Sequence, residues 1–326
     1  MATKHSIIVF AGGYSGEAAI SRKSARMVMN HIDSIRFQPT LVHINDDGWF
    51  IESDGRQSPT TLEALMADPK GYIGAFVMVH GTPGEDGKLQ AQLAAVGFPH
   101  TTGSAEAVAL TFHKGQTSEL LQSLGIPVAR SHQIPAGSTW NAATLIESVG
   151  LPCFVKPNET GSSIGIHKVT SMDQLDTAIR DAQAIGGSGG VIVESFLRGR
   201  EFTAGVIPAE DGTPFALPIT EIRTDRAFFD YAAKYEGESE EITPADIPDS
   251  LRDRLQQLAI DVYNATEMKG LARVDMMSEL DGDPHVIEIN AVPGFSEASI
   301  IPKQADALGL TKTALISRII DQTLLR

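Results

Sequence analysis

The amino-acid sequence predicts a mixed α/β fold, and three features of it support that class. Short β-branched runs such as Ser6–Phe10 and Ala75–Val79 alternate with helical patterns in the first third of the chain. This alternation is typical of a parallel sheet with helical crossovers. The last third is richer in strand patterns and contains one long amphipathic helix, Ser250–Ala265. No internal repeat or low-complexity tract suggests another architecture.

The first predicted domain, residues 1–104, begins with the strand at 6–10 and its glycine turn, Gly12-Gly13. A helix follows, because apolar residues from Ala19 to Ile32 recur at three- and four-residue spacings. The runs at 41–44 and 75–79 predict two further strands. We therefore expect a Rossmann-like domain with a parallel sheet.

Two further domains are predicted at 105–193 and 194–326, each of α+β character. In the first, helices at 117–124 and 142–149 are each closed by glycine and proline, and a third helix spans 173–184. Its strands are predicted at 153–156 and 164–169. The remaining strands are expected at 191–196, 202–207, 217–222, 271–277 and 286–290, and a last helix at 313–325.

Composition excludes several classes of partner. The chain has 326 residues, with 41 acidic and 26 basic side chains and a formal charge of −15. A nucleic-acid backbone or an anionic membrane surface requires the opposite sign of charge. The single cysteine, Cys153, excludes an internal disulfide. The apolar run at 7–10 is too short for a signal peptide, and no run reaches the roughly 18 residues of a membrane span. We expect a cytoplasmic protein.

The most informative motif is a hairpin with a cluster of polar residues. Asp281-Gly282 between two strand patterns predicts a two-residue turn. With that turn, Asp275 pairs with Glu288 and Arg273 with Asn290, all on one face. Two facing carboxylates and an amide oxygen suit a divalent cation, Mg²⁺ before Ca²⁺. A solvated polar hairpin face would show the same pattern, although the Pro-Gly turn after the strand favours a site.

A glycine- and serine-rich segment, Gly161-Ser-Ser-Ile-Gly165, follows Lys156. Its backbone and hydroxyl donors, with the lysine, suit a polyphosphate. It lacks the P-loop spacing. It matches the G-x-S-x-G elbow of hydrolases at Ser163, but that motif leads into a helix, whereas a strand is predicted here. A purely structural glycine-rich hairpin is the alternative.

A third glycine segment, from Gly12 to Glu17, follows the first strand. It lacks the G-x-G-x-x-G spacing of dinucleotide-binding proteins. A tight strand-to-helix turn would explain it fully. The helix N-terminus that it opens could also receive an anionic group of a ligand.

Taken in order, these motifs resemble the ATP-grasp superfamily, and within it the D-alanine–D-alanine ligases. The resemblance covers almost the whole chain, and its specificity comes from many motifs in one register. The matching segments are Gly12–Ser21, Val79–Gly87, His113-Lys114, Phe154–Pro157, Gly161–Gly165, Val193-Glu194, Gly199–Glu201, Asp230–Tyr235, Ala272–Asp275 and Glu288–Ser299. One departure is His113, which stands where the family usually has Asp or Asn.

The resemblance implies a three-domain fold in which ATP is clasped between the second and third domains. It implies that one D-alanine is activated as an acyl phosphate and attacked by the amine of a second, for peptidoglycan precursor synthesis. It also implies two Mg²⁺ ions, with Mn²⁺ as a substitute, and a homodimer. The implied residues are Glu17, Ser162, Arg273, Gly294 and Tyr235 for catalysis; Lys114, Lys156, Ser163, Glu194, Glu201 and Lys234 for ATP; Glu17, His80, Arg273, Gly294, Ser299 and Ile300 for D-alanine; and Asp275, Glu288 and Asn290 for metal.

Two other functions compete with this one. A D-alanine–D-lactate or D-alanine–D-serine ligase would use the same scaffold, but Lys234-Tyr235 favours an amine nucleophile over lactate. A nucleotide-binding regulatory protein with an inactive site is the other, and the charged positions expected of an active enzyme argue against it. The polar stretch 227–241 is predicted to form a lid that excludes water, or else a surface loop.

Overall fold

Three β-sheets form the framework of the protein. The structure, a computed structural model, describes residues 4–69, 71–224 and 239–325. The mixed α/β class predicted from the sequence is confirmed. The helices are α1 (Ala18–His31), α2 (Leu62–Met66), α3 (Lys88–Ala95), α4 (Ala105–Phe112), α5 (Lys114–Ser123), α6 (Ala142–Val149), α7 (Met172–Gly186), α8 (Asp249–Ala265), α9 (Ile300–Ala307) and α10 (Lys312–Thr323).

The first sheet has five strands in the order β4-β3-β2-β1-β5. These are β1 (His5–Gly12), β2 (Phe37–Asn45), β3 (Gly48–Ser53), β4 (Arg56–Thr60) and β5 (Tyr72–Val77). As predicted, β1 pairs in parallel with β2 and β5. The hairpin β3–β4 adds an antiparallel edge that the sequence analysis missed. The side chains of β3 are mostly half-buried and those of β4 mostly exposed, and neither strand alternates strictly between apolar and polar residues.

The second sheet is antiparallel, in the order β6-β9-β7-β8. Its strands are β6 (Ser131–Ile134), β7 (Cys153–Pro157), β8 (His167–Val169) and β9 (Val191–Ser195). Helices α6 and α7 cover one face through Leu145, Leu175 and Ile179. The sheet leaves its other face toward the third sheet, where a cavity lies.

The third sheet has the order β13-β12-β10-β14-β15, and β11 pairs with β10. Its strands are β10 (Arg200–Pro208), β11 (Pro214–Ala216), β12 (Thr220–Thr224), β13 (Ser239–Ile242), β14 (Ala272–Ser278) and β15 (His285–Asn290). The apolar side of α8 packs on this sheet through Leu251, Leu255 and Val262.

Two hydrophobic cores contain side chains from more than one of the predicted domains. Leu315 and Ile319 of the last helix, α10, pack with Ile7 and Phe76 of the first sheet. Similarly, α4 and α5 contribute side chains to the core of the third sheet. The strand β9 also runs to Ser195, beyond the expected boundary at 193/194. The limits 104 and 193 therefore stay a prediction.

The hairpin β14–β15 has the pairing predicted at its polar end. Asp275 pairs with Glu288, and Arg273 pairs with Asn290. The predicted two-residue turn is wrong, because the strands end at Ser278 and begin again at His285. A register shift between Asp275 and Met276 accompanies this longer connection. The pairing therefore holds where the polar residues lie, although the turn that predicted it does not form.

Candidate active site

Two cavities adjoin at the edges of the three sheets. The first cavity has a volume of about 330 Å³ and is lined by residues near each of the three sheets. Among these residues are Glu17, His80, Glu85, Ser162, Arg273, Gly294 and Ser299. The second, about 380 Å³, lies between the second and third sheets. Lys114, Ser162 and Glu288 line both cavities. Groups held in one cavity can therefore meet groups held in the other at this shared wall.

Glu17 occupies the position before the first residue of α1, where the glycine turn after β1 delivers it. Its Oε1 accepts a hydrogen bond of 2.5 Å from the hydroxyl of Ser162. Ser162 and Ser163 both have left-handed backbones, with φ of 52° and 57°. This turn directs the glycine-rich segment back toward the first sheet. The structure thus joins two motifs that are separated by 145 residues in the sequence.

Asp275 accepts hydrogen bonds from three neighbouring side chains. Arg273 donates two hydrogen bonds to it, of 2.8 and 2.7 Å from Nε and Nη2. Asn290 Nδ2 donates to Oδ2 at 3.1 Å, and Thr203 Oγ1 donates to Oδ1 at 2.5 Å. Thr203 lies directly opposite on β10. The side chain of Asp275 is only 7% exposed, so these bonds fix its orientation.

The donor chemistry of this hairpin fits a hard divalent cation. Asp275 and Glu288 supply carboxylate oxygens and Asn290 an amide oxygen, from paired strand positions. Asp275 already accepts four hydrogen bonds, so metal binding would replace at least one of them. Within the described ranges, no cluster of three or more His, Cys, Asp or Glu suggests a different metal site.

Lys114 begins α5 and extends to the shared wall. Its Nζ donates to the carbonyl of Thr160 at 2.6 Å and lies 3.9 Å from Glu288 Oε2. His113 is the N-cap of this helix, and its Nδ1 accepts the N–H of Gln116 at 3.2 Å. Asp and Asn cap helices in the same way. His113 therefore caps this helix as an Asp or Asn would.

Lys156 and Glu194 form a buried ion pair in the second cavity. Their Nζ and Oε2 atoms are 2.6 Å apart on the paired strands β7 and β9. Burial opposes the charge of Lys156, but Glu194, Glu288 and Glu201 outweigh it and raise the pKa of Lys156 above its ordinary value. The lysine is therefore cationic at neutral pH. Ser163, Glu201 and the ring of Phe154 line the same cavity.

The segment after β15 supplies one wall of the first cavity. Gly294, Ser299 and Ile300 all line it. Ser299 precedes the first residue of α9, and its Oγ accepts the N–H of Ser296 at 2.9 Å. Ile300 begins that helix, and the N–H groups of a first helical turn lack intrahelical partners. This wall therefore offers donors suited to a carboxylate.

His80 also lies on the wall of the first cavity, but its ring is committed to protein groups. Nδ1 lies 2.7 Å from the carbonyl oxygen of Val292, and Nε2 lies 2.8 Å from Ser24 Oγ. Burial lowers the pKa of His80 below its ordinary value, against the opposing charge of Glu17. The ring is therefore neutral at physiological pH.

Glu85, which was not among the predicted site residues, lines the first cavity with Glu17. Its Oε2 accepts the N–H of Gly81 at 2.9 Å. Burial first, and then the charge of Glu17, raise the pKa of Glu85 to about 8. Glu85 lies in the matching segment Val79–Gly87. Its raised pKa, however, follows from its burial and its closeness to Glu17 in the fold, which the sequence does not show.

Other contributors were also missed. Thr203 and Ser24 give no signal in the sequence, because their partners lie on distant segments. At the second cavity, Glu221 accepts hydrogen bonds from Arg200 and Arg223, which hold its pKa below the ordinary value although burial acts to raise it. Lys234, Tyr235 and most of the expected lid lie outside the described residues.

Known proteins that are similar to this chain belong to the family that its sequence motifs resemble. The profile described as "D-ala D-ala ligase C-terminus" matches residues 120–321. The D-alanine–D-alanine ligase of Flavobacterium johnsoniae is 38% identical, over 98% of this chain and 99% of its own. That of Parabacteroides distasonis is 36% identical, over 98% of each chain.

Solved structures of similar fold cover almost the whole chain. The D-alanine–D-alanine ligase from Coxiella burnetii has a TM-score of 0.88 at 26% identity, covering 100% of this chain and 95% of its own. The VanG D-Ala:D-Ser ligase from Enterococcus faecalis also has a TM-score of 0.88, at 27% identity, covering 98% and 99%.

The three sheets and the cavity between the second and third define an enzyme of the ATP-grasp fold. Full-length similarity to curated ligases narrows that class. The chain belongs to the D-alanine–D-alanine ligase family.

Proposed function

We propose that this protein joins two D-alanine molecules into D-alanyl-D-alanine and converts ATP to ADP and phosphate. The observation that carries the proposal is the pair of adjoining cavities, which share Lys114, Ser162 and Glu288. A phosphate donor in one cavity and a carboxylate in the other would meet at that wall. Membership of the ligase family supports the same reaction.

The second cavity would hold ATP. Lys114, Lys156 and Ser163 would contact its phosphates, because lysines and serine hydroxyls bind phosphate oxygens well. Glu194 and Glu201 would bind the adenine end and the ribose, beside the apolar face of Phe154. Lys156 keeps its charge when buried, so it can offset phosphate charge in a cavity with little water.

The first D-alanine would lie in the first cavity with its ammonium on Glu17. Ser162 holds this carboxylate through Oε1 and would keep it oriented. The substrate carboxylate would then take the terminal phosphoryl group of ATP and become an acyl phosphate. Lys234 and Tyr235 are proposed to close over this site; both lie outside the described residues.

The second D-alanine would bind through its carboxylate, at the Ser299 hydroxyl and the N–H of Ile300. Its amine attacks the acyl carbon, phosphate leaves, and the amide bond forms. Arg273 and the N–H of Gly294 would stabilise the oxyanion of the tetrahedral intermediate. Both residues line this cavity. The positioning of groups carries most of the rate, since the protein forms no covalent intermediate.

Asp275, Glu288 and Asn290 would hold two Mg²⁺ ions, or Mn²⁺ in their place. When bound, the ions neutralise phosphate oxygens and assist departure of the leaving group. Asp275 is oriented for this task by Thr203 and Arg273. We further propose a role in peptidoglycan precursor synthesis and cell shape, in the cytoplasm and as a homodimer.

A second candidate function is D-alanine–D-serine ligation. The likeness to the VanG D-Ala:D-Ser ligase, at a TM-score of 0.88, favours keeping it as an alternative. A D-lactate product would use the same scaffold, but Lys234-Tyr235 favours an amine nucleophile over lactate. Competition between D-alanine, D-serine and D-lactate, with the products separated by mass, distinguishes the three.

Phosphate release tests the proposal. We expect release only when ATP, Mg²⁺ and D-alanine are all present, with one dipeptide formed for each phosphate. L-Alanine is the matched control, because it has the same groups with the opposite configuration. Release with L-alanine alone, or without any amino acid, would contradict the proposed function.

A further inference from the structure

A buried chain of hydrogen bonds joins the first sheet's layer to the segment that carries Gly294. Ser24 on α1 is 0% exposed, and His80, after β5, is 4% exposed. Ser24 Oγ accepts the N–H of Phe295 at 3.1 Å and lies 2.8 Å from His80 Nε2. His80 Nδ1 lies 2.7 Å from the carbonyl oxygen of Val292.

The chemistry of these groups allows one arrangement of protons for a neutral ring. The carbonyl of Val292 can only accept, so Nδ1 carries the hydrogen and donates it. Nε2 then has a lone pair and accepts the hydroxyl hydrogen of Ser24. The oxygen lone pairs of Ser24 remain available for the N–H of Phe295. Each group is satisfied, as a buried network requires.

The two attachment points flank one residue. Val292 and Phe295 lie on either side of the Pro293-Gly294 pair. Phe295 is itself fully buried and packs near Phe76 of β5, with ring centroids 6.2 Å apart. The backbone at Gly294 is therefore held from both sides by groups that belong to the first sheet and its helix.

We propose that Ser24 and His80 are positioning residues, which together hold the 292–295 backbone so that the Gly294 N–H is directed at the reacting carbonyl oxygen. The inference rests on the proposed function and extends it. It gives His80 a different task from the substrate contact implied by the family resemblance. Both ring nitrogens are bonded to protein, so His80 acts on the reaction through the backbone it holds.

The test is Ser24→Ala, compared with Ser21→Ala. Ser21 lies one turn earlier on α1 and is also fully buried. Its hydroxyl accepts the N–H of Gly12 at 2.7 Å and donates to the carbonyl of Met78 at 2.6 Å. Both variants lose a buried bridging hydroxyl from one helix. Only Ser24 reaches the segment around Gly294, so Ser21→Ala is a matched control for lost stability.

We expect Ser24→Ala to lower kcat by about 10- to 100-fold, since a displacement near 1 Å costs about that much. The KM for ATP should change less than about twofold, because the second cavity does not contact Ser24. Ser21→Ala should keep its kcat within about threefold of the unmodified protein. A kcat for Ser24→Ala equal to that of the control, or a loss confined to KM for ATP, would overturn the proposal.

A second measurement does not depend on activity. Nitrogen-15 NMR of the histidine rings distinguishes the two neutral tautomers, and loss of one signal in His80→Gln assigns it. We expect the Nδ1–H form in the unmodified protein. The Nε2–H form, or a ring protonated at neutral pH, would overturn the proposal. If the protein makes no dipeptide, the proposed function is wrong. The NMR measurement still tests the hydrogen bonds that join Ser24, His80 and Val292.

Discussion

Glu17 depends on the absence of side chains around it. A Cβ built on Gly161 would lie 2.7 Å from Glu17 Oε2, and one on Gly81 would lie 3.0 Å from the same atom. Gly81 also has a φ of +64°, which side chains rarely adopt. The carboxylate therefore occupies a space that only glycine at these positions leaves open.

Gly161→Ala should move the Glu17 carboxylate with little effect on the fold. The carboxylate is the far end of a flexible side chain, so it can give way to the new methyl group. We expect kcat/KM for D-alanine to fall by about tenfold or more, because the ammonium contact is displaced. Steady-state kinetics measure this. The control is Gly16→Ala, where a Cβ meets nothing within 4 Å; an equal loss there would contradict the explanation.

Glu85 should make stability depend on pH. Its pKa is raised from 4.5 to about 8, so the folded protein keeps a proton that the unfolded chain has released. The unfolded state therefore binds fewer protons between these values, and the free energy of unfolding falls as pH rises through this window. Below about pH 4.5 both states are protonated, and the difference vanishes.

Glu85→Gln should remove that pH dependence, because an amide does not ionise. Relative to the unmodified protein, we expect the variant to gain about 1–3 kcal/mol of unfolding free energy between about pH 5.5 and pH 8.5. Denaturant titrations at the two pH values measure the gain. A stability difference that stays constant across this range would show that Glu85 titrates normally.

Glu288→Gln tests the metal assignment. The amide keeps the shape of the side chain but loses the charge expected to hold Mg²⁺. We expect turnover to fall by about 100-fold or more with the circular dichroism spectrum unchanged. Glu279→Gln, at an exposed position in the connection of the same hairpin, is the control. An unaffected rate in Glu288→Gln would refute the assignment.

At the scale of elements, the hairpin β14–β15 shows how far sequence reasoning reaches. The assumed two-residue turn predicted that Asp275 pairs with Glu288, and the register has that pair. The Asp281-Gly282 turn signal was wrong, because the chain bends earlier, with Gly282 N–H donating to Glu279 O at 3.1 Å. Turn signals are local, whereas the pairing is decided by packing along the whole sheet.

Helix α5 shows how a substitution can preserve an element. Its N-terminus is joined to the residue that follows β7 by the N–H of Gly115, which donates to Asn158 Oδ1 at 3.1 Å. His113 caps the same turn. The cap and this bond together set where Lys114 leaves the helix. His113 therefore has a visible structural role at the start of this helix.

His113→Ala should destabilise the protein by about 0.5–2 kcal/mol, the usual cost of losing an N-cap. His113→Asp should recover most of this, because its carboxylate accepts the same N–H and suits the helix dipole. Thermal or denaturant unfolding of the three proteins measures the difference. If Asp destabilises as much as Ala, the capping explanation is wrong.

Several elements escaped prediction for identifiable reasons. Strand β3 contains the apolar run Trp49-Phe50-Ile51 and β4 has no large apolar residue, so neither strand shows a period-two pattern. Helix α9 begins Ile-Ile-Pro, and among its buried side chains is a polar one, Gln304, whose amide bonds to Thr203 O and Gly205 N. Glutamine is mostly exposed in proteins, so a sequence pattern assigns it to the surface. Such contacts exist only once distant strands have assembled.

At the scale of the whole molecule, the net charge of −15 does not show where individual charges lie. Lys114, Lys156 and Arg273 line the two cavities, together with carboxylates such as Glu194 and Glu288. An acidic protein can bind a polyphosphate where cationic side chains, and a divalent cation held by carboxylates, offset the phosphate charge. Among the described residues, no helix is both long enough and apolar enough to cross a bilayer.

The layers are tied together rather than independent. The last helix fills the core of the first sheet, while His80 and Ser24 bond to the segment after β15. The first cavity is therefore built from residues far apart in sequence. Motif spacing indicated which residues belong to the site, but their mutual geometry follows from this packing, which the sequence pattern alone does not contain.

The central claim is that ATP activates the carboxylate of one D-alanine, which a second then attacks. D-Alanine labelled with oxygen-18 in its carboxylate tests this directly, with the phosphate and the dipeptide analysed by mass spectrometry. The oxygen that joins carbon to phosphorus should leave with the phosphate. We predict one labelled oxygen in each phosphate released and one D-alanyl-D-alanine formed with it. Unlabelled phosphate, or phosphate without dipeptide, would contradict the claim.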